Sequence, residues 1–198
     1  MTKHDVSRAV QILKSGGLII YPTDTLYALG ADISNEQAVK KVFDIKQRPC
    51  TVPLSVAVAS ISAMESITYM NNAAYLLCAR FLPGNLTLIL RKKHTVPQII
   101  TSGKDTVAVR IPKNPVALEL LSQFGPLTAT SANLHHEKTL GVISDIRMQL
   151  QTPDMFGLDD GRLSGAPSTM IDLSIIPPQV VRTGTISEKE LFDVIAHG

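Results

Sequence analysis

A mixed α/β fold, with helices packed on a sheet, is predicted by three features of this chain of 198 residues. Short apolar runs bounded by Gly, Pro or polar residues recur along the chain and have the length of strands. Between them lie segments with apolar residues at helical spacing, several opened by a capping residue. Strands and helices intermingle without strict βαβ alternation, which points to a mixed sheet. No internal repeat, low-complexity run or linker interrupts this pattern. The length suits one domain, read as residues 1–198, with room for a sizeable core.

Taken in order, Asp5 is placed to cap a first helix whose face carries Val6, Ala9, Val10 and Leu13, and Gly16-Gly17 ends it. Residues 18–21, Leu-Ile-Ile-Tyr, read as a buried strand, and Pro22-Thr23-Asp24-Thr25 leaves it as a polar loop. Residues 27–31 return as a second strand. Ser34 and Gln37 have capping-box spacing for a helix that turns Val39, Val42 and Phe43 inward up to Lys46. Pro49 stops that helix, because it cannot donate the next backbone bond and restricts the residue before it. Residues 54–58 form a strand, 60–65 a short helix, and 71–81 a longer one closed by Pro83-Gly84.

Residues 86–90 read as a strand with Thr87 among apolar neighbours, and 106–111 as another. Asn114-Pro115 opens a helix with a cap residue and a proline at the first helical position. Val116, Leu120, Leu121 and Phe124 fill its apolar face, and Gly125-Pro126 stops it. Residues 127–130 make a small-residue strand end, 143–150 a helix and 155–158 a weak strand, before a turn at Asp159-Asp160-Gly161. Strands at 170–173 and 179–182 precede a last helix. Ser187 and Glu190 form its capping box, ahead of Leu191 and Val194.

Composition excludes several classes of function. A net charge of +2 is too weak for a strongly basic nucleic-acid binder, so only local clustering of cations could make such a surface. Trp is absent and aromatics are few, so no base-stacking platform is evident. Cys50 and Cys78 lack metal-ligand spacing and need not pair, which fits a reducing cytosol. The first residues carry no signal-peptide core and no run is long enough to span a membrane, so a cytoplasmic location without membrane attachment is expected. There is no Walker A pattern, no G-x-G-x-x-G, no Ser-His-Asp arrangement and no zinc spacing. Gly161 and Gly165 read as turn residues rather than a phosphate loop.

The polar clusters carry the functional signal. Lys46-Gln47-Arg48-Pro49, followed after three residues by Pro53-Leu54, puts two cations on a stiffened turn at a helix end. For a lone cation there, the plainer reading is a charge that complements the helix dipole. A second cluster is Thr130-Ser131-Ala132-Asn133, and a third is Tyr21-Pro22-Thr23-Asp24-Thr25. Pro83-Gly84-Asn85-Leu86-Thr87, the stretch 107–112 around Arg110, and the stretch 168–173 followed by Arg182 complete an ordered set. Together these segments resemble the YrdC/TsaC family of threonylcarbamoyl-adenylate synthases over nearly the whole chain. That resemblance implies a YrdC-like twisted open mixed sheet with packed helices and a concave, positively charged cavity. The chain looks like the single-domain form of the family.

The resemblance implies a reaction of L-threonine, bicarbonate or CO2, and ATP as substrate, with Mg2+ accompanying it, to give threonylcarbamoyl-AMP and pyrophosphate. A separate transferase would then use the product to modify adenosine beside the tRNA anticodon. Such chemistry gathers negative charge and needs fixed cations and hydrogen-bond donors more than a nucleophilic side chain. Lys46 and Arg48 are the matched catalytic and ATP-binding cations, Arg through its planar fork and Lys as a point charge. Thr130, Ser131, Asn133 and Arg182 match the nucleotide contacts. On an extended segment Ser131 and Asn133 share one face, with Ala132 opposite; alone, they read as a Ser or Asx turn. Thr25, Arg110 and Ser168 match the threonine contacts. Arg110 ends an apolar strand, where an unpaired charge is costly; it either pairs a buried carboxylate or holds a substrate carboxylate.

Two departures from the family pattern stand out. Ala57 occupies a position where many members have His, so one threonine contact is missing or replaced. Leu134-His135-His136 follows Asn133 where members often have Ser-Gly, and the adjacent His side chains are expected to point apart and to bind no metal. Competing readings are a double-stranded RNA-binding module, which would need phosphate contacts rather than a basic composition, and an inactive paralogue of the same fold. Carbamoyl transfer, by analogy with hydrogenase-maturation enzymes, is a further alternative.

Overall fold

The computed structural model of the chain describes residues 3–197. Helix α1 (Lys3–Lys14) buries Val6, Ala9, Val10 and Leu13, and a turn at Gly16 delivers the chain to β1 (Ile19–Tyr21) and its antiparallel partner β2 (Ala28–Gly30). Asp5 lies within the first turn of α1 and not at its cap, where its charge still suits the helix dipole. Helix α2 (Glu36–Lys46) is capped by Asn35, whose side chain accepts from the Ala38 amide at 3.0 Å. The expected Ser34–Gln37 box does not form, because Ser34 instead donates to Asp32 at 2.7 Å. Nor does Pro49 end α2 directly. Gln47 turns left-handed at φ 50°, and its amide closes on the Asp44 carbonyl.

Strand β3 (Ser55–Ala57) leads to α3 (Ile61–Ile67), which Ser60 caps, and to a short β4 (Thr68–Tyr69). Asn71 caps α4 (Asn72–Phe81), which is followed by β5 (Leu86–Lys92), a single turn α5 (Gln98–Thr101) and β6 (Thr106–Arg110). The sequence analysis missed β4 and α5; both are too short to carry a periodic signal. Asn114 caps α6 (Pro115–Phe124) as expected, accepting from the Val116 and Ala117 amides. Residues 127–131 divide into β7 (Leu127–Thr128) and β8 (Thr130–Ser131), which belong to different sheets. Then come α7 (Ile143–Gln149), β9 (Thr169–Asp172), β10 (Gln179–Arg182) and α8 (Glu188–His197), the last opened by the Ser187–Glu190 box. Residues 155–158 are no strand. They make one parallel bridge, with Ile20 sharing backbone bonds with Phe156 and Leu158.

The larger sheet runs β10-β9-β5-β6-β3-β7, with β4 on β5. Its β3–β6 and β5–β9 pairs are parallel and the others antiparallel, so the sheet is mixed. The smaller sheet runs β1-β2-β8. Thr128 joins the two. Its main chain lies in the larger sheet, while its hydroxyl donates to the Leu29 carbonyl and accepts from the Ala31 amide. One apolar cluster includes Leu29, Val42, Val56, Leu88 and Val109; a second includes Leu13, Tyr21, Ala57, Leu121 and Leu127. Among the described residues no helix is long and apolar enough to cross a membrane.

Candidate functional site

Between the two sheets lies a cavity of about 510 Å³. Its floor follows from the period of two along a strand. Thr106, Ala108 and Arg110 point one way from β6 and line it. The register places Ile89 of β5 and Ser55 of β3 beside Ala108, and Met170 of β9 between Thr87 and Arg182. The cavity therefore has two ends. Arg110, Thr87, Ser168 and Arg182 gather at one; Thr106, Lys104 and Arg48 gather at the other. Thr23, Thr25 and Tyr27, with Thr130 and Ser131 of β8, supply the wall from the smaller sheet.

Four cations line this cavity (Arg48, Lys104, Arg110 and Arg182) and no carboxylate does, among the described residues. The arrangement is an anion site with neutral hydroxyl donors around it. Arg110 is 6% exposed and its Nη2 pairs with Asp24 Oδ1 at 2.7 Å, while Nη1 donates to the Thr25 hydroxyl at 3.1 Å. The structural one of the two roles foreseen for Arg110 is thus realised, with Asp24 as the carboxylate. Its Nε and Asp24 Oδ2 are buried without partners among the described residues. Thr25 also shares a hydrogen bond of 2.9 Å with Thr23. Arg182 donates to the Ser168 carbonyl and hydroxyl, both at 3.0 Å, and Ser168 meets Thr87 at 2.7 Å. Burial first, and Arg110 second, lower the pKa of Arg182.

Arg48 donates through Nε to the Val52 carbonyl at 3.1 Å and through Nη2 to the Pro53 carbonyl at 2.7 Å. Its fork closes the turn that follows α2 and lies against the cavity. Lys46 and Asn133 do not line the cavity, contrary to their expected direct contact with ATP. Lys46 is 1% exposed and falls on the inward face of α2 with Val39, Val42 and Phe43. Its Nζ donates to the carbonyls of Ser131 and Asn133 at 2.6 and 2.5 Å, and to Asn133 Oδ1 at 3.3 Å. Burial of the ammonium, with Arg48 a second cause, brings its pKa down to about 7. Asn133 Oδ1 accepts from the Ser131 hydroxyl at 2.6 Å, and its amide nitrogen donates to the Glu137 carbonyl. Lys46 therefore holds the 131–133 loop from behind the wall that Thr130 and Ser131 form.

Ala57 is fully buried in the second apolar cluster and does not face the cavity. The rings of His135 and His136 do not diverge; their centroids are 3.8 Å apart, because a left-handed His136 (φ 68°) folds one back on the other. Gly161 and Gly165 belong to a strap over the cavity wall. Tyr27 donates to the Gly161 carbonyl at 2.7 Å, and the Gly165 amide donates to the Thr25 carbonyl at 3.0 Å. A Cβ at Gly165 would lie 2.5 Å from that same carbonyl oxygen. Lys104, Thr23 and Thr87 are site residues the sequence analysis did not assign. Thr87 left a signal, a hydroxyl inside an apolar strand; Lys104 left none.

The family model described as telomere recombination, which covers Sua5, YciO and YrdC, matches residues 11–184. The chain belongs to the Sua5/YciO/YrdC family. It is 37% identical over 195 residues to a threonylcarbamoyl-AMP synthase of Pyrococcus abyssi, covering 94% of this chain. The chain spans 56% of the length of that relative. The crystal structure of P. abyssi Sua5 complexed with L-threonine superposes with a TM-score of 0.92 at 36% identity, over 98% of this chain and 58% of that one. Escherichia coli YciO superposes at 0.88 and 31% identity, over 96% of this chain and 94% of its own. The mixed sheet with packed helices expected from the sequence is the fold of this family.

Proposed function

We propose that this chain makes threonylcarbamoyl-AMP and pyrophosphate from L-threonine, bicarbonate or CO2, and ATP. The observation that carries this reading is the cavity with four cations and no lining carboxylate, in a chain whose fold matches a Sua5 complexed with L-threonine. Threonine adds CO2 at its amine to give a carbamate. A carbamate oxygen then bonds to the α-phosphorus of ATP, and the bond from that phosphorus to the bridging oxygen breaks. The electron pair leaves with pyrophosphate. The carbamate, ATP, the adenylate and pyrophosphate are all anions, so fixed donors that meet the growing charge lower the barrier without a nucleophilic side chain.

Arg110, Thr25 and Ser168 form the amino-acid end, where the Arg110 charge, shared with Asp24, favours a carboxylate. Thr130 and Ser131 line the nucleotide region, Arg182 meets the nucleotide from beside Ser168, and Arg48 faces the phosphates. Lys46 and Asn133 act by holding the 130–133 segment in place. No three His, Cys, Asp or Glu side chains gather as a metal site among the described residues. Mg2+ accompanying ATP would thus take phosphate and solvent oxygens as ligands, and no step above is routed through it. The adenylate product is an activated carbamoyl donor, suited to a separate tRNA-modifying transferase. Pyrophosphate release measured with each substrate omitted in turn tests the reading. Release that needs all three is expected; release without threonine or without bicarbonate would overturn it.

A further inference from the structure

Three of the four cavity cations are committed to neighbours. Arg48 holds the Val52 and Pro53 carbonyls, Arg110 holds Asp24 and Thr25, and Arg182 holds Ser168. Lys104 differs. It lines the cavity, yet its ammonium has no hydrogen bond or ion pair among the described residues. Its main chain is nonetheless well fixed. The Lys104 amide donates to the Thr101 carbonyl at 3.0 Å, and the Ser102 hydroxyl donates to the Cys50 carbonyl at 2.6 Å. The Leu54 amide donates to the Ile100 carbonyl at 2.9 Å. These bonds join the turn bearing Lys104 to the turn bearing Arg48, so both cations serve the same end of the cavity.

Strand β6 sets the distance between the two ends. Four residue steps lead from Thr106 to Arg110, about 13 Å of extended chain, and Lys104 lies two residues further out. Arg110 is buried in its ion pair with Asp24, whereas Lys104, at the other end, is exposed. An anion held between Arg48 and Lys104 lies at the water-exposed edge of this end. A lysine there acts as a mobile point charge that can follow such an anion, unlike the geometrically committed Arg48 fork.

We propose that Lys104 is a polyphosphate contact of this site, gripping the β- and γ-phosphates of ATP and the pyrophosphate formed from them. This assignment rests on ATP being the nucleotide substrate. Calorimetric binding of ATP, AMP and inorganic tripolyphosphate to the wild type, Lys104→Ala and Lys104→Glu tests it, without threonine so that no chemistry intervenes. Lys104→Ala should weaken ATP and tripolyphosphate about tenfold, the worth of one partly exposed charged contact, and AMP by less than about twofold. Lys104→Glu should weaken ATP further, and added salt should shrink both differences. Unchanged ATP affinity in Lys104→Ala, or an equal loss for AMP and ATP, would overturn the assignment. Wild-type binding of tripolyphosphate that depends on Lys104, without ATP binding, would keep the anion contact and reject the synthase reading. Binding of neither would reject both.

Discussion

Replacing Lys46 by Met separates its two conceivable roles. Met keeps an unbranched stem of similar length, so the α2 packing face is preserved while the ammonium is lost. The carbonyls of Ser131 and Asn133 would then be buried acceptors without a donor. Asn133 Oδ1 would keep its bond from Ser131. Each orphaned acceptor costs about 1–3 kcal/mol. Below pH 7 relief of the buried charge offsets most of that, whereas by pH 10 the folded lysine is already neutral and a net loss of about 1–5 kcal/mol remains. Total stability for a chain of this size is about 5–15 kcal/mol, so the loss is readily measured. Urea unfolding at pH 10, followed by circular dichroism, should show a lower midpoint with an unchanged slope. Turnover should fall as well, because the 131–133 loop loses its anchor. A lysine that only touched phosphate would instead leave the midpoint near that of the wild type. A change below about 0.5 kcal/mol, the scatter of ordinary surface substitutions, would refute the anchoring role.

The same residue predicts a pH dependence. Its pKa falls on folding from 10.5 to about 7, so between those values the unfolded chain binds the proton that the folded chain has released. Stability of the wild type therefore rises with pH through this window, by at most roughly 1.4 kcal/mol per pH unit, and the deficit of Lys46→Met should widen from pH 7 to pH 9; a flat deficit would mean that the ammonium keeps its proton. Arg48→Lys keeps the charge but can hold only one of the two carbonyls well, so it should lose about 1 kcal/mol of stability. If the guanidinium also meets phosphate, pyrophosphate release should drop about a hundred- to thousandfold, and near-normal release would leave Arg48 as a clamp on its own turn. Gly165→Ala pushes a methyl group against the Thr25 backbone and should raise the KM for L-threonine roughly tenfold through misplacement of Thr25, with a lower melting temperature because backbone must shift; an unaltered KM would remove the strap from the threonine site.

Much of the site was legible in the sequence because local chemistry and ordered spacing mark it. Thr25, Arg48, Arg110, Thr130, Ser131, Ser168 and Arg182 all reach one cavity, although they come from separate parts of the chain. The direction of Lys46 was missed: it was placed with Arg48 on the turn, although it follows Val39 by two helical turns and lies buried beside Val42 and Phe43. Ser34 misled because the true cap, Asn35, lies one residue on and Asp32 competes for the serine hydroxyl. The short β4 and α5 carry too few residues for any periodicity to show.

What the sequence by itself determined was a set of features that depend on near neighbours along the chain. These include the Asn114-Pro115 helix start, the Ser187–Glu190 box and the alternating face of β6. Only the tertiary structure decided which groups at long separation meet. It passed the chain from one sheet to the other at Thr128, paired Asp24 with Arg110, set Lys46 behind the 131–133 loop, and brought Lys104 to the end of the cavity that Arg48 occupies. The physical reason is that capping and alternation are set by bonds within a few residues. Sheet register and charge pairing depend on which buried surfaces come together, and no local spacing encodes that.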